Sequence, residues 1–201
     1  MQILYSDREI VVCVKPMGLD SEHQIPEALI EILGGTVFPI HRLDKNVGGV
    51  MVYARTKGAA AALSRAVQEG TMVKEYVAMV HGTPPDQGDW QDLLWKDSGK
   101  NKVFVVKRER KGVKKARLEF QRLSEGENSL VRIRLHTGRS HQIRVQFASR
   151  GFPLVGDKKY GGRDEHTAPM LFSCCLTFHH KGKPLRFEQL PEWVAASLSE
   201  T

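Results

Sequence analysis

The chain has 201 residues, 41% hydrophobic and 26% charged, which is enough for one domain with its own apolar core; no apolar run approaches the roughly 20 residues needed to cross a bilayer. A formal charge of +7 and a pI near 9.4 favour a polyanionic partner. The three cysteines, Cys13, Cys174 and Cys175, are odd in number and lack C-x-x-C spacing, which argues against a disulfide framework and a structural zinc site; the first residues lack a secretory pattern, so the cytoplasm is the expected compartment.

Taken in order, Glu9 to Lys15 is β-rich and stops at the turn Lys15-Pro16-Met17-Gly18. Pro26 at a first helical position, with apolar residues at Ala28, Leu29, Ile32 and Leu33, predicts a helix ending at Gly34-Gly35. A loop then carries His41-Arg42-Leu43-Asp44 into Val47-Gly48-Gly49 and a strand from Val50 to Ala54, so that Asp44 is expected to be held in a tight turn. Thr56 is placed to cap an alanine-rich helix reaching about Glu69 and closed by Gly70. Met72 to Gly82 reads as a strand with Lys74 and Tyr76 on one face and Glu75 on the other.

Residues 90 to 106 suggest a hairpin about Ser98-Gly99-Lys100-Asn101, and the run from Lys107 to Arg117 holds seven basic residues against Glu109. Alternation at Ala116 to Gln121 and at Val131 to Leu135, around Gly126-Glu127-Asn128, predicts an antiparallel hairpin. Thr137 reads as the N-cap of a helix carrying Ile143 and Phe147 to Gly151, which puts Arg139 at a helix N-terminus, suited to phosphate. Strands at Leu171 to Phe178 and Leu185 to Glu188 and a final helix opened by Pro191 complete the chain. The whole reads as a single α+β domain, residues 1 to 201, with a mixed, largely antiparallel β-sheet and flanking helices.

Four segments occur together in one order: His41-Arg42-Leu43-Asp44; Lys74-Glu75-Tyr76 with Val80-His81-Gly82; His136 to Arg144; and Val155-Gly156-Asp157-Lys158-Lys159-Tyr160-Gly161. With Lys15-Pro16-Met17-Gly18-Leu19 they resemble the signatures of RluA-type pseudouridine synthases over roughly residues 10 to 190. The resemblance implies isomerisation of uridine to pseudouridine in structured RNA, ribosomal or transfer, by a catalytic domain without the small N-terminal RNA-binding domain of many relatives. It makes Asp44 the essential carboxylate, which attacks the nucleotide or removes a sugar proton, Arg144 its guanidinium partner, and Tyr76 a ring against the uracil that assists proton removal at C5. Arg42 matches an arginine that fills the space left by a flipped base or binds phosphate.

Exchanging the N1–C1′ bond for a C5–C1′ bond consumes no water, ATP or redox equivalent, so no cofactor is expected, and the sequence has neither G-x-x-x-x-G-K-[ST] nor G-x-G-x-x-G. No metal site is expected either, since His179 and His180 would point to opposite faces of a strand, and a monomer is the default. Lys111, Lys114 and Lys115 are candidate phosphate contacts, with Arg42 and Arg139. Two departures from the family pattern stand out. Val47-Gly48-Gly49 replaces Thr-Ser-Gly, removing two hydroxyls that would hold the loop, and Gln146 stands where the family helix often has histidine. The rival reading is a catalytically silent RNA-binding module of the same fold.

Overall fold

The computed structural model describes residues 1–162 and 164–199. In chain order the elements are β1 (Gln2–Ser6), β2 (Ile10–Lys15), α1 (Gln24–Leu33), β3 (Phe38–Pro39), β4 (Gly48–Ala54), α2 (Lys57–Gln68), β5 (Val73–His81) and β6 (Gln87–Asp97). There follow β7 (Lys102–Val106), β8 (Val113–Arg122), β9 (Asn128–Leu135), α3 (Gln142–Ala148), β10 (Leu171–His180), β11 (Lys183–Glu188) and α4 (Glu192–Ser199). Among the described pairings whose register is resolved, all are antiparallel except β10 on β4, and Gly82 also bridges Asn128 in parallel, so the class is α+β with a mixed, mostly antiparallel sheet. The chain divides into two compact units, Met1–Lys74 with Phe172–Pro191, and Glu75–Leu171 with Glu192–Thr201.

In the first unit the strand order is β1-β2-β4-β10, with β11 on β10 and β3 on β4. Every residue of β4 is buried, which its unbroken run of small and apolar residues allows. Val50, Val52 and Ala54 join Ile10, Val12, Leu176 and Phe178 in a core closed by Ala59 and Leu63 of α2. Thr56 caps α2 as its position predicts, its side chain accepting the Ala59 N–H at 3.2 Å. The opposite face of β4 carries Tyr53, whose hydroxyl donates to the Ser21 carbonyl at 2.9 Å. The first helix starts at Gln24, not at Pro26; proline at the third position is tolerated because N–H groups of a first turn lack intrahelical partners.

In the second unit the order is β5-β9-β8-β6-β7. β8 and β9 form the hairpin that their alternation predicts, while β6 pairs with β8 in an unbroken register from Gln87 opposite Gln121 to Trp95 opposite Val113. Trp90, Phe120 and Phe147 pack ring to ring, with centroids 4.4 to 5.2 Å apart, and seat α3 on this sheet. The helix is shorter than expected. It begins after His141, which is left-handed at φ 50°, and Thr137 does not cap it. The Thr137 hydroxyl instead accepts the Arg117 N–H at 2.9 Å and donates to Gln142 Oε1 at 2.8 Å, tying the loop to β8. Gln142 Oε1 in turn accepts the Arg139 N–H at 3.0 Å.

Candidate active site

The loop of Asp44 belongs to the first unit and is fixed on both sides of the carboxylate. Ahead of it, Ser21 Oγ donates to the Leu43 carbonyl at 3.0 Å and accepts the Leu43 N–H at 3.2 Å. Behind it, the Lys45 carbonyl accepts from Gly18 N at 2.8 Å and from Lys15 Nζ at 3.1 Å, while Val47 N donates to the Asp44 carbonyl at 2.9 Å. Leu43 and Val47 turn their side chains into the core, leaving Asp44 half-buried between two anchored neighbours.

Lys15 is fully buried, and its ammonium spends its three protons on the carbonyls of Pro16, Leu19 and Lys45, at 2.9, 2.9 and 3.1 Å. Burial pulls its pKa down to about 8 against the opposing pull of Asp20 and Asp44. It is therefore a structural cation beneath the loop, a role that sequence reasoning missed by treating Lys15 as turn punctuation. The missing hydroxyls at positions 47 and 48 have a physical counterpart here. Val47 is a buried apolar anchor, and a side chain at Gly48 would meet Lys15 O and the Phe172 ring at 3.2 Å. Gly49, at φ +130°, lies so close to Ser173 that a Cβ would come within 2.3 Å of its carbonyl oxygen.

Two neighbours of Asp44 differ in environment. Arg42 is exposed and pairs with Glu22 at 3.0 Å. The His41 ring is buried, accepts the Val52 N–H on Nε2 at 3.3 Å, and has no hydrogen-bond partner for Nδ1 among the described residues. Burial, assisted by the nearby Lys74 charge, pushes its pKa down to about 3, so the ring is neutral at physiological pH.

Tyr76 and Arg144 belong to the second unit. Tyr76 is buried on β5, and its neighbour Glu75 pairs with Arg132. The Arg144 guanidinium is held by Asp157 through two charge-assisted bonds, Nε to Oδ2 at 2.7 Å and Nη2 to Oδ1 at 2.8 Å. The Asp157 side chain is 1% exposed and that of Arg144 11%, so this is a buried ion pair. The ring of Tyr160 lies under the guanidinium at 5.1 Å. The Tyr160 hydroxyl accepts the Val103 N–H and bonds His141 Nδ1, both at 2.8 Å. Arg144 is thus oriented by two residues of the Val155–Gly161 segment, which the sequence marks only as a motif. The loop bearing Asp157 is braced by Asp164, whose Oδ2 accepts from Gly156 N at 2.8 Å and lies 2.9 Å from His81 Nε2.

The basic run divides. Residues 107–112 connect β7 to β8, with the Arg110 guanidinium 4.8 Å above the Trp95 ring. Lys111 lies in this connection, whereas Lys114 and Lys115 are consecutive residues of β8 and project to opposite faces. Lys115 is 3.4 Å from Glu109, and its carbonyl accepts from Arg139 Nε at 3.0 Å. Gln146 is buried and donates to Asp92 at 2.6 Å, a tie to β6 that gives this departure from the family pattern a packing role. A broad cavity of about 590 Å³ on the β9-β8-β6 face, lined by Glu75, Asp89, Glu119, Arg132 and Arg134, contains none of the residues predicted for the site.

The RNA pseudouridylate synthase family matches residues 9–149. Over 206 residues the chain is 31% identical to the dual-specificity RNA pseudouridine synthase RluA of Yersinia pestis, covering 94% of this chain and 98% of that protein. It is 33% identical over 177 residues to the ribosomal large subunit pseudouridine synthase D of Vibrio cholerae, covering 81% of this chain and about half, 53%, of that one. The solved structure of human RNA pseudouridylate synthase domain containing 4 superposes with a TM-score of 0.81 at 25% identity, covering 98% of this chain and 92% of the other.

Proposed function

The chain belongs to the RNA pseudouridylate synthase family, and from that premise we propose how its own residues divide the work of isomerising uridine to pseudouridine in structured RNA. Asp44 is the essential carboxylate, acting at the nucleotide as nucleophile or at the sugar as base. Arg144 is its charge partner, oriented in turn by Asp157 and Tyr160, and Tyr76 lies against the uracil and assists loss of the proton at C5. The reaction breaks N1–C1′, forms C5–C1′, and transfers the C5 proton to solvent while N1 gains one, so it needs no external reactant. The target base leaves its stack at a cost of about a few kcal/mol, and Arg42, exposed beside the Asp44 loop, enters the vacated space or binds phosphate.

The observation that carries this reading is the anchored Asp44 loop. Its neighbours are clamped by Ser21, Gly18 and Lys15, and preorganisation of that kind is what a carboxylate needs to meet one atom of a flipped nucleotide. It favours an enzyme over a silent binding module, because binding phosphate places no such demand on a carboxylate. The substrate is ribosomal or transfer RNA, the ribosomal alternative being supported by the name of the Vibrio cholerae relative; the protein works as a monomeric catalytic domain in the cytoplasm. Arg139 and Lys114 contact phosphates directly, and Lys111 and Lys115 add longer-range attraction.

Mapping pseudouridine across all RNAs in strains with and without the protein tests the function and names the substrate together. One or a few sites lost with the gene are expected. No lost site in any RNA expressed alongside the protein would return the silent module to first place.

A further inference from the structure

A cleft of about 160 Å³ opens on the second unit, lined by Leu94, Lys96, Val103, Lys114, Arg139 and Ser140. Its construction follows from register. Leu94 lies opposite Lys114 and Lys96 opposite Val103, and residues directly paired across strands project to the same face. Lys96, two residues after Leu94, shares that face too. The floor is apolar and buried, because Leu94 and Val103 belong to a core cluster with Ala116 and Val145. The two lysines rise from the sheet at the rim, and Arg139 comes from the loop ahead of α3. Arg139 is tethered by two bonds, its backbone N–H to Gln142 Oε1 at 3.0 Å and its Nε to the Lys115 carbonyl at 3.0 Å. Three cations therefore converge on one small concavity whose lining, among the described residues, includes no acid.

We propose that this cleft is a subsite for one backbone phosphate of the RNA substrate, an inference that rests on the RNA reading above. Size selects the group. The cleft is well below the roughly 300 Å³ at which pockets enclose a drug-sized molecule, so a phosphate fits and a whole nucleoside does not. Charge selects the sign, and the fixed Arg139 offers planar N–H groups of the kind that pair with phosphate oxygens. The position has a use. Val103, in the cleft floor, donates its N–H to the Tyr160 hydroxyl, and Ser140 precedes His141, which bonds that same hydroxyl. A phosphate seated here locks the RNA strand beside the Tyr160 platform on which Arg144 rests.

The test compares three single charge neutralisations in the full chain, Lys96→Gln, Lys114→Gln and Lys115→Gln, with a fluorescent structured RNA titrated at several salt concentrations. Lys115 has a charge like that of its neighbour but projects to the other face of β8. The single phosphate seated here accounts for roughly 0.7 to 0.9 of the slope of log affinity against log salt, so Lys96→Gln and Lys114→Gln each flatten it by up to that amount and raise KM. Lys115→Gln flattens it by less than half as much. Inorganic phosphate, added at constant ionic strength, competes with RNA on the wild type and loses that effect on Lys96→Gln. Equal slope changes in all three variants would reduce the cleft to diffuse positive charge and overturn the proposal. Phosphate binding seen by calorimetry, together with unaltered RNA slopes in the variants, would assign the cleft to the free ion and overturn it equally. Wild-type pseudouridine formation, read in the same preparations from tritium released by RNA labelled at uridine C5, separates these results from a failure of the RNA reading. Its absence would remove the substrate and the subsite together.

Discussion

Asp157→Asn keeps the shape of the Arg144 partner and removes its charge. In the native protein the carboxylate accepts two N–H groups at 2.7 and 2.8 Å from a side chain that is itself 11% exposed. An amide accepts one of them and turns its own NH₂ toward the other, so one good bond is lost and the buried guanidinium loses the charge of its Asp157 partner. Truncating one partner of a buried pair costs about 3 to 5 kcal/mol, and the retained bond brings the expected loss to about 3. With a urea m-value of about 2 kcal/mol/M, the unfolding midpoint falls by about 1.5 M. Trp90, Trp95 and Trp193 all lie in the second unit, so tryptophan fluorescence reports the unit that contains the pair. Turnover at saturating RNA should fall on the order of 10²-fold, because Arg144 is no longer held in place, with a much smaller change in RNA affinity. A midpoint within 0.3 M of wild type, roughly a fifth of the expected shift, would contradict this, since the pair would then contribute almost nothing to the fold.

Lys15→Met should destabilise the first unit by roughly 1 to 3 kcal/mol, since the Pro16 and Leu19 carbonyls lose the ammonium and the Lys45 carbonyl keeps only Gly18 N, and should lower turnover by loosening the Asp44 loop; normal kinetics with normal hydrogen exchange at Leu43 to Val47 would contradict this. His41 has a folded pKa near 3 against about 6.5 unfolded, so the unfolded chain binds more protons between those values and stability is lost as pH falls through that window. The depressed carboxyl of Asp164, near 2, acts only below about 4, so a stability profile by circular dichroism should fall between pH 6.5 and 4 in the wild type and flatten in His41→Gln. Gly49→Ala should lower the melting temperature far more than Gly48→Ala, because its Cβ meets Ser173 at 2.3 Å with φ at +130°, whereas the Gly48 Cβ meets its neighbours at 3.2 Å. Equal effects would mean the β4 to β10 approach is not constraining.

What the sequence revealed was local. The Thr56 cap and the alternation of β8 and β9 are written in neighbouring residues and appear in the structure as expected. The parallel pairing of β4 with β10 and the long register of β6 on β8 join residues distant along the chain, and no periodicity reports them. The same limit applies to Thr137, a good cap by type, whose hydroxyl is claimed by Arg117, twenty positions earlier in the chain. The order of the motifs pointed to Asp44, Tyr76 and Arg144. The residues that hold two of them in place, Lys15, Ser21 and Tyr160, came only with the fold, because each acts through contacts with backbone or rings far from its own motif. The basic run looked like one feature and is not, since strand alternation separates Lys114 from Lys115.

Asp44 is proposed to carry the isomerisation of uridine, and release of the hydrogen from uridine C5 measures that step itself. Purified wild type and Asp44→Asn are incubated with RNA that carries tritium at uridine C5 and comes from cells lacking the protein, and RNA affinity is measured in parallel. The expected result is one tritium released per pseudouridine formed by the wild type and none above background from Asp44→Asn, with RNA bound nearly as tightly because phosphate contacts supply the affinity. Appreciable release by Asp44→Asn, or none by the wild type on any such RNA, would contradict it.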